Sequence, residues 1–191
     1  MGKCKGGFIV GRQAPESHWI IIDRLSDIIL ENVKGSIVEI GMGGSTRVLS
    51  RHSAKFKRKY YSCDTSKRLC DWFKENLPNP NHTIFCGKSM GFIDQFDCSP
   101  VALVFLDGRH KYDIVKQEFE FFLPLLSCGG VMFLHDAAPS EQYTKRKGHT
   151  IGVELLRKEL ELLDSIYTFV WPYTAGDMGL MMITKKKCEV K

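Results

Sequence analysis

Apolar and polar positions along the chain follow two different spacings. Compact apolar runs such as 101–106 are typical of buried strands, whereas apolar residues three or four positions apart, as in 111–126, are typical of helices. This pattern predicts strands at 37–40, 59–63, 83–86, 101–106, 131–134, 166–171 and 179–184. It predicts helices at 16–32, 46–52, 67–76, 90–95, 111–126 and 151–163. The alternation predicts a three-layer α/β fold, in which helices cover both faces of a mostly parallel, seven-stranded sheet.

Size and composition are those of one globular domain. Of the 191 residues, 43% are hydrophobic and 26% are charged, which is enough for one well-formed core. We therefore expect a single domain over 1–191, with an N-terminal helical segment at 1–35 and a mobile polar loop at 138–149. No apolar run approaches the ~20 residues needed to cross a bilayer, and the first residues lack the apolar centre of a secretory signal. These features predict a cytoplasmic protein without a membrane partner.

The net charge does not indicate a nucleic-acid-binding protein. The formal charge of +5 includes short basic clusters at 55–59, 144–147 and 185–187, which are typical of solvated surface. The sequence contains no recognisable DNA- or RNA-binding motif. Nucleic acid is therefore not an expected partner, although a non-catalytic cofactor-binding or nucleic-acid-associated module is kept as an alternative. The seven cysteines form no C-x-x-C pair, so a zinc knuckle is not indicated.

A glycine-rich turn follows the first predicted strand. Gly41, Gly43 and Gly44 have no Cβ atom, so the backbone can turn sharply and a ligand can lie directly against it. The first amide groups of the following helix have no partner within that helix and can donate hydrogen bonds to such a ligand. The turn therefore indicates a binding site, although glycine turns also serve purely structural purposes.

Polar residues stand where the predicted strands end. In parallel sheets, ligands bind at the carboxyl ends of the strands, near the point where strand order reverses. After the glycine turn, the next strand ends carry Asp64, 87–89, Asp107 and 135–136. A carboxylate about twenty residues after a glycine turn, as Asp64 is, typically binds the ribose hydroxyls of a nucleoside. The strand ends therefore predict a nucleoside cofactor and the chemistry around it.

The glycine pattern distinguishes between nucleoside cofactors. NAD prefers the pattern G-x-G-x-x-G, whose third glycine packs beside the pyrophosphate, but here Thr46 and Arg47 follow the turn. An adenosine-type cofactor without pyrophosphate is favoured. A nicotinamide-dependent oxidoreductase remains an alternative.

Five features together resemble the class I S-adenosylmethionine-dependent methyltransferases. Residues 38–45 are similar to the family's first motif, Asp64 to its ribose-binding acid and 86–90 to its adenine-side turn. Residues 106–112 and 129–136 are similar to a narrower group of small O-methyltransferases. That group includes catechol-type enzymes, macrolide (macrocin-type) and aminocoumarin sugar enzymes, and cephalosporin-hydroxylase-like proteins. The resemblance covers about 37–136 and implies a Rossmann-like methyltransferase fold with S-adenosylmethionine as cofactor.

The resemblance also assigns roles to individual residues. The residues that it implies for cofactor binding are Glu39, Gly41, Met42, Gly43, Ser45, Asp64, Thr65, Ser66, Lys88 and Ser89. The positions of Asp107 and Asp136 bind a divalent cation, usually magnesium, in the metal-dependent members of the group. Those members commonly carry another acidic or amide residue where this chain has His135. Magnesium prefers oxygen ligands, whereas imidazole suits transition metals. A histidine at position 135 therefore calls the usual magnesium into question.

The residues themselves give an independent argument for catalysis at Asp107, His110 and Asp136. If the fourth and fifth strands are neighbours, their ends lie ~5 Å apart, and two carboxylates there repel each other unless a cation or a proton lies between them. A cation could hold the hydroxyl group of an acceptor and lower its pKa. His110 is either a general base or a structural hydrogen-bonding residue. The predicted function is methyl transfer to a hydroxyl oxygen of a small molecule, and a homodimer is left open.

Overall fold

The computed structural model describes residues 6–137, 151–171 and 179–187, with side chains described from Trp19 onward. The predicted mobile loop at 138–149 lies outside the described residues. No helix in the described ranges is both long and apolar enough to span a membrane.

Helices and strands alternate as the hydrophobic pattern predicts. The helices are α1 (Gly6–Asn32), α2 (Gly44–Phe56), α3 (Lys67–Asn76), α4 (Ser89–Ile93), α5 (Tyr112–Leu125) and α6 (Ile151–Leu160). The strands are β1 (Ser36–Ile40), β2 (Tyr60–Asp64), β3 (His82–Cys86), β4 (Val101–Leu106), β5 (Leu126–His135), β6 (Ile166–Trp171) and β7 (Leu180–Lys185). Most predicted bounds agree within two residues, but α1 begins ten residues before the predicted 16 and β5 begins five residues before the predicted 131.

All seven strands belong to one sheet with the order β3-β2-β1-β4-β5-β7-β6. The pairs from β3 to β5 are parallel, and β7 is antiparallel to both β5 and β6. The prediction of a mostly parallel, seven-stranded sheet is therefore confirmed. Strand order reverses between β1 and β4, where successive chain crossovers leave in opposite directions, so a crevice is expected at their carboxyl ends.

Helices cover both faces of the sheet, which gives three layers. On one face, α1 and α2 pack through Ile22, Leu30 and Leu49 against the central strands. On the other face, α4, α5 and α6 contribute Phe92, Phe122 and Leu156, among others, to the larger of the core clusters. β1 and β4 are buried along their whole length. Burial on both faces explains why these two strands are almost continuously apolar.

Candidate active site

The register of the sheet brings two predicted strand ends together. Leu106 of β4 pairs with Leu134 of β5, so the residues that follow, Asp107 and His135, lie side by side. Asp136 comes next and adopts a left-handed backbone conformation with φ of 58°. This conformation is uncommon for residues other than glycine and is found where the surrounding structure enforces it.

A cavity of about 370 Å³ opens at the point where strand order reverses. Its lining contains six of the predicted site residues, namely Gly41, Asp64, Thr65, Lys88, Ser89 and Asp107. The remaining lining residues are Ile40, Cys63, Gly87, Met90, Gly108, Arg109 and Ile114. The carboxyl ends of four neighbouring strands therefore contribute to one cavity, which is where parallel sheets bind ligands.

Asp64 is held in a fixed orientation at the edge of this cavity. Its two carboxylate oxygens accept hydrogen bonds from the backbone amides of Met42 (2.9 Å) and Ser66 (2.7 Å). The bond from Met42 connects the second strand end to the glycine turn. Because an ionised carboxylate has about four acceptor sites, Asp64 can still accept hydrogen bonds from a ligand.

Glu39 lies beneath the glycine turn and is completely buried. Its carboxyl group accepts hydrogen bonds from the hydroxyl groups of Ser45, Thr46 and Tyr60. Burial raises the pKa of Glu39 to about 7, although these three hydrogen bonds lower it in part. The glycine turn, the start of α2 and strand β2 are thus connected through one buried acid.

Glu39 should make the folded protein less stable as the pH rises. Below its ordinary pKa of 4.5 it is protonated in both the folded and unfolded states, and it adds no dependence on pH. Between that value and about 7, only the unfolded chain releases the proton, so the free energy of unfolding falls, by about 3 kcal/mol in total. Denaturant unfolding at several pH values should show that Glu39→Gln removes this decrease. The exposed Glu120 gives the control: Glu120→Gln should follow the wild-type profile, and identical profiles for both variants would contradict the assignment.

The other predicted cofactor-binding residues are not among those that line the cavity. Ser45 is buried and directs its hydroxyl to Glu39. Met42 packs into a small cluster with Cys70 and Phe73. The Ser66 hydroxyl accepts a hydrogen bond from Leu69 N and caps α3. Gly43 has open space where a Cβ atom would lie.

Asp107, His110, His135 and Asp136 form one cluster next to the cavity. His110 Nδ1 lies 3.0 Å from Asp136 Oδ2, and His110 Nε2 lies 3.4 Å from Asp107 Oδ1. His135 Nδ1 lies 2.9 Å from Asp107 Oδ1 and 3.1 Å from Asp136 Oδ1. The structure thus brings all three predicted catalytic residues together. It also adds His135, a second imidazole in contact with the same two carboxylates.

The charges in this cluster stabilise one another. Burial alone would lower the pKa of His110, but hydrogen bonds to Asp107 and Asp136 raise it to about 9. The pKa of His135 is also raised, because contact with Asp107 outweighs burial. Burial would raise the pKa of Asp107, but the hydrogen bonds and charges of the two histidines lower it. Near neutral pH His110 is therefore cationic, and it faces both Asp107 and Asp136.

The same residues fit a divalent cation. One ligand atom from each of Asp107, His110 and Asp136 lies within 4.8 Å of the others. Within the described residues, the buried Asp136 Oδ1 has no hydrogen bond of acceptable geometry. A buried carboxylate oxygen without a hydrogen bond is costly, and coordination to a cation would satisfy it.

Comparison with known proteins assigns the family. A family model described as a methyltransferase domain matches residues 38–137, which include the glycine turn, the cavity and the cluster. The chain belongs to this methyltransferase family. The resemblance noted from the sequence motifs is therefore confirmed, and it is favoured over the nicotinamide oxidoreductase.

A curated relative and two solved structures are similar to this methyltransferase. The uncharacterized protein y4gI of Sinorhizobium fredii is 33% identical over 97 residues, which are 51% of this chain but only 10% of that protein. An O-methyltransferase from Bacillus cereus, solved with SAH, has a TM-score of 0.70 at 15% identity. The matched region covers 97% of this chain and 93% of the Bacillus cereus chain. TomG, an O-methyltransferase from Streptomyces achromogenes solved with SAM, has a TM-score of 0.68 at 16% identity. The matched region covers 92% of this chain and 87% of the TomG chain. At these identities the two structures show the fold alone.

The methyltransferase also has a buried acid that sequence reasoning missed. Glu118 on α5 is 1% exposed, and its Oε1 atom lies 3.8 Å from where a Cβ atom on Gly108 would be. Burial raises the pKa of Glu118 to about 7, against the lowering effects of a hydrogen bond with Ser89 and the charge of His110. Glu118 therefore connects two segments that line the cavity. The sequence did contain a signal for this burial: Glu118 is three residues after Val115 and four before Phe122, so it lies on the same buried face of α5.

Proposed function

We propose that this methyltransferase transfers a methyl group from S-adenosylmethionine to a hydroxyl oxygen of a small molecule, with a divalent cation at Asp107 and Asp136. The observation that carries the proposal is the position of Asp107. This residue lines the cavity with Gly41 and Asp64, and it also belongs to the histidine and aspartate cluster. A cofactor in the cavity and an acceptor at the cluster would therefore be neighbours.

The residues around the cavity suit S-adenosylmethionine. Asp64 would accept hydrogen bonds from the ribose hydroxyls, and the loop from Gly87 to Ser89 would border the adenosine. Gly41 would allow the methionine part to lie against the backbone. When bound, S-adenosylmethionine supplies an electrophilic methyl group on its sulfonium sulfur. The protein's contribution is to hold the acceptor oxygen in line with that methyl group.

His110 is suited to accept the proton of the acceptor hydroxyl. Its Nδ1 atom donates a hydrogen bond to Asp136, at 3.0 Å, which fixes the orientation of the ring. Its Nε2 atom faces Asp107 at the longer distance of 3.4 Å, and this is the nitrogen from which a proton would be exchanged with the acceptor. With a pKa of about 9, however, His110 is already protonated near neutral pH. Compensation of the negative charge on Asp107 and Asp136 would lower that pKa and make His110 available as a base. This charge balance supports a cation at the two aspartates, where it would act as a Lewis acid.

The proposal is tested by binding and turnover on the purified protein. Calorimetry should show binding of S-adenosylmethionine and none of NAD. Transfer of a labelled methyl group should be detected within a panel of phenols, catechols and sugars, and mass spectrometry should place the methyl group on oxygen. Binding of NAD alone would overturn the proposal. Cofactor binding without turnover, together with salt-dependent binding of RNA, would instead favour a non-catalytic, nucleic-acid-associated module.

Asp64→Asn should weaken S-adenosylmethionine binding by roughly 10- to 100-fold, because a hydrogen bond to a charged group contributes about 1.5–3 kcal/mol. The amide keeps one acceptor oxygen but loses the charge and half of the acceptor sites. Calorimetric titration of the cofactor measures the effect. Asp71→Asn is a matched control, since Asp71 lies on α3 and forms an exposed ion pair with Lys67. Equal affinities for the two variants would show that Asp64 does not bind the ribose.

A further inference from the structure

His135 presents a single nitrogen atom to both carboxylates of the cluster. Its Nδ1 atom lies 2.9 Å from Asp107 Oδ1 and 3.1 Å from Asp136 Oδ1. His110 faces the same two residues through different nitrogens, Nδ1 toward Asp136 and Nε2 toward Asp107. A metal ion bonds to one nitrogen of an imidazole ring. Both histidines therefore have a nitrogen near the two carboxylates, but only His135 presents the same nitrogen to both, at 2.9 and 3.1 Å.

The separations around His135 Nδ1 are those of neighbouring metal ligands. When an ion has bonds of about 2.1 Å and octahedral geometry, adjacent ligand atoms are about 3.0 Å apart. The distances of 2.9 and 3.1 Å fall on either side of that value. Each of the two contacts of His135 Nδ1 therefore has the length expected between neighbouring ligand atoms of one ion.

Hydrogen bonds from His135 Nδ1 alone cannot satisfy both of the carboxylate oxygens that face it. An imidazole nitrogen carries at most one proton, so Nδ1 can donate fully to only one of the two oxygens. Asp136 Oδ1 is the oxygen without an acceptable hydrogen bond in the described part of the chain, and its residue is 8% exposed. The left-handed backbone of Asp136, with φ of 58°, helps to direct this carboxylate to the cluster.

We propose that His135 Nδ1 coordinates the cation together with Asp107 and Asp136, and that this nitrogen makes the site select a transition metal over magnesium. The inference rests on the proposed function, because the cation is the one proposed there. Imidazole is a good ligand for transition metals such as iron, nickel and zinc, whereas magnesium strongly prefers oxygen. His110 does not coordinate the ion and keeps its Nε2 atom for proton transfer.

The test measures metal binding directly, without an activity assay. Metal-free protein is titrated calorimetrically with Co²⁺, Mn²⁺ and Mg²⁺, and pulsed electron paramagnetic resonance of the Mn²⁺ form detects coupling to a coordinated ¹⁴N nucleus. We expect Co²⁺ to bind at least roughly 100-fold more tightly than Mg²⁺, and a nitrogen coupling in the wild-type protein. Magnesium binding as tight as cobalt, or the absence of a nitrogen coupling, would overturn the proposal without the need for any variant.

Two substitutions identify the histidine. His135→Asp replaces the nitrogen with an oxygen ligand, so the preference for Co²⁺ over Mg²⁺ should fall below roughly 10-fold and the nitrogen coupling should disappear. In His110→Asn, the matched control, both the preference and the coupling should remain. A coupling that is lost in His110→Asn and kept in His135→Asp would assign the ligand to His110 and overturn the proposal.

Failure of this inference can be told apart from failure of the proposed function. If the ion is bound through oxygen alone while labelled methyl groups still reach a hydroxyl, only the role of His135 is wrong. If the protein neither binds S-adenosylmethionine nor transfers methyl groups, the proposed function is wrong whatever the metal measurements show.

Discussion

Asp136→Asn is expected to lower the rate of methyl transfer by roughly 1,000-fold, because it replaces an anionic cation ligand with a neutral one and removes a charged partner of a catalytic base. Asp136 contacts both His110 and His135, at 3.0 and 3.1 Å, and is 8% exposed. Asparagine is the appropriate replacement, since it is among the few residues that tolerate the left-handed conformation found here. The variant should therefore fold, and the loss should lie in kcat rather than in cofactor affinity.

Single-turnover transfer of a labelled methyl group measures this loss, and calorimetry with S-adenosylmethionine checks the cofactor site. Asp164→Asn is the control, because Asp164 is exposed and precedes β6, outside the cluster. If an Asp136→Asn variant retained wild-type turnover, neither a cation at Asp136 nor the ion pair between Asp136 and His110 would be needed for methyl transfer. A variant that fails to bind the cofactor would instead show that Asp136 supports the cavity.

The position of this cluster could be predicted because parallel strands bring their carboxyl ends to one edge of the sheet. Asp107 and Asp136 are 29 residues apart in the sequence, yet the pairing of Leu106 with Leu134 makes their strand ends neighbours. The alternation of strands and helices and the polar strand ends were enough for this prediction, once the fourth and fifth strands were taken to be neighbours, as they are in the structure. They could not show which nitrogen of each histidine faces which oxygen, since that depends on side-chain rotamers and on the backbone of Asp136.

The sequence also could not predict which way the side chains around the glycine turn point. Ser45 follows the turn and was predicted to bind the cofactor, but its hydroxyl points inward to Glu39. Tyr60, the third hydroxyl partner of Glu39, lies in the next strand, 21 residues further along the chain. A tyrosine in a buried strand looks like an ordinary core residue. Only the packed structure shows that a buried acid beneath the turn requires these hydroxyl partners.

The early start of β5 has a similar explanation. Residues 127–130, Ser-Cys-Gly-Gly, resemble a turn, but Leu126 pairs with Val101 and the register then shifts before Val131 pairs with Leu103. An irregularity of this kind accommodates extra residues within a strand. The hydrophobic pattern locates the regular part of β5 and cannot show that Leu126, before the irregularity, also pairs with β4.

Gly41→Ala is expected to abolish detectable S-adenosylmethionine binding and to lower the melting temperature by about 10 °C, which corresponds to a loss of about 3 kcal/mol. A Cβ atom at this position would lie 2.0 Å from the carbonyl oxygen of Asp107, which is backbone and cannot rotate away. The φ angle of Gly41, 88°, is also one that alanine rarely adopts. The ends of β1 and β4 would have to separate, and both border the cavity.

Thermal unfolding and calorimetric titration of the cofactor measure the two effects, and Gly91→Ala supplies the matched glycine control. A Cβ atom on Gly91 would lie 3.8 Å from the Phe85 ring, at ordinary contact distance, and Gly91 is within α4, where alanine favours the helix. That variant should keep the wild-type melting temperature or exceed it slightly. If Gly41→Ala were equally stable and bound the cofactor normally, close approach of the ends of β1 and β4 would not be needed to form the site.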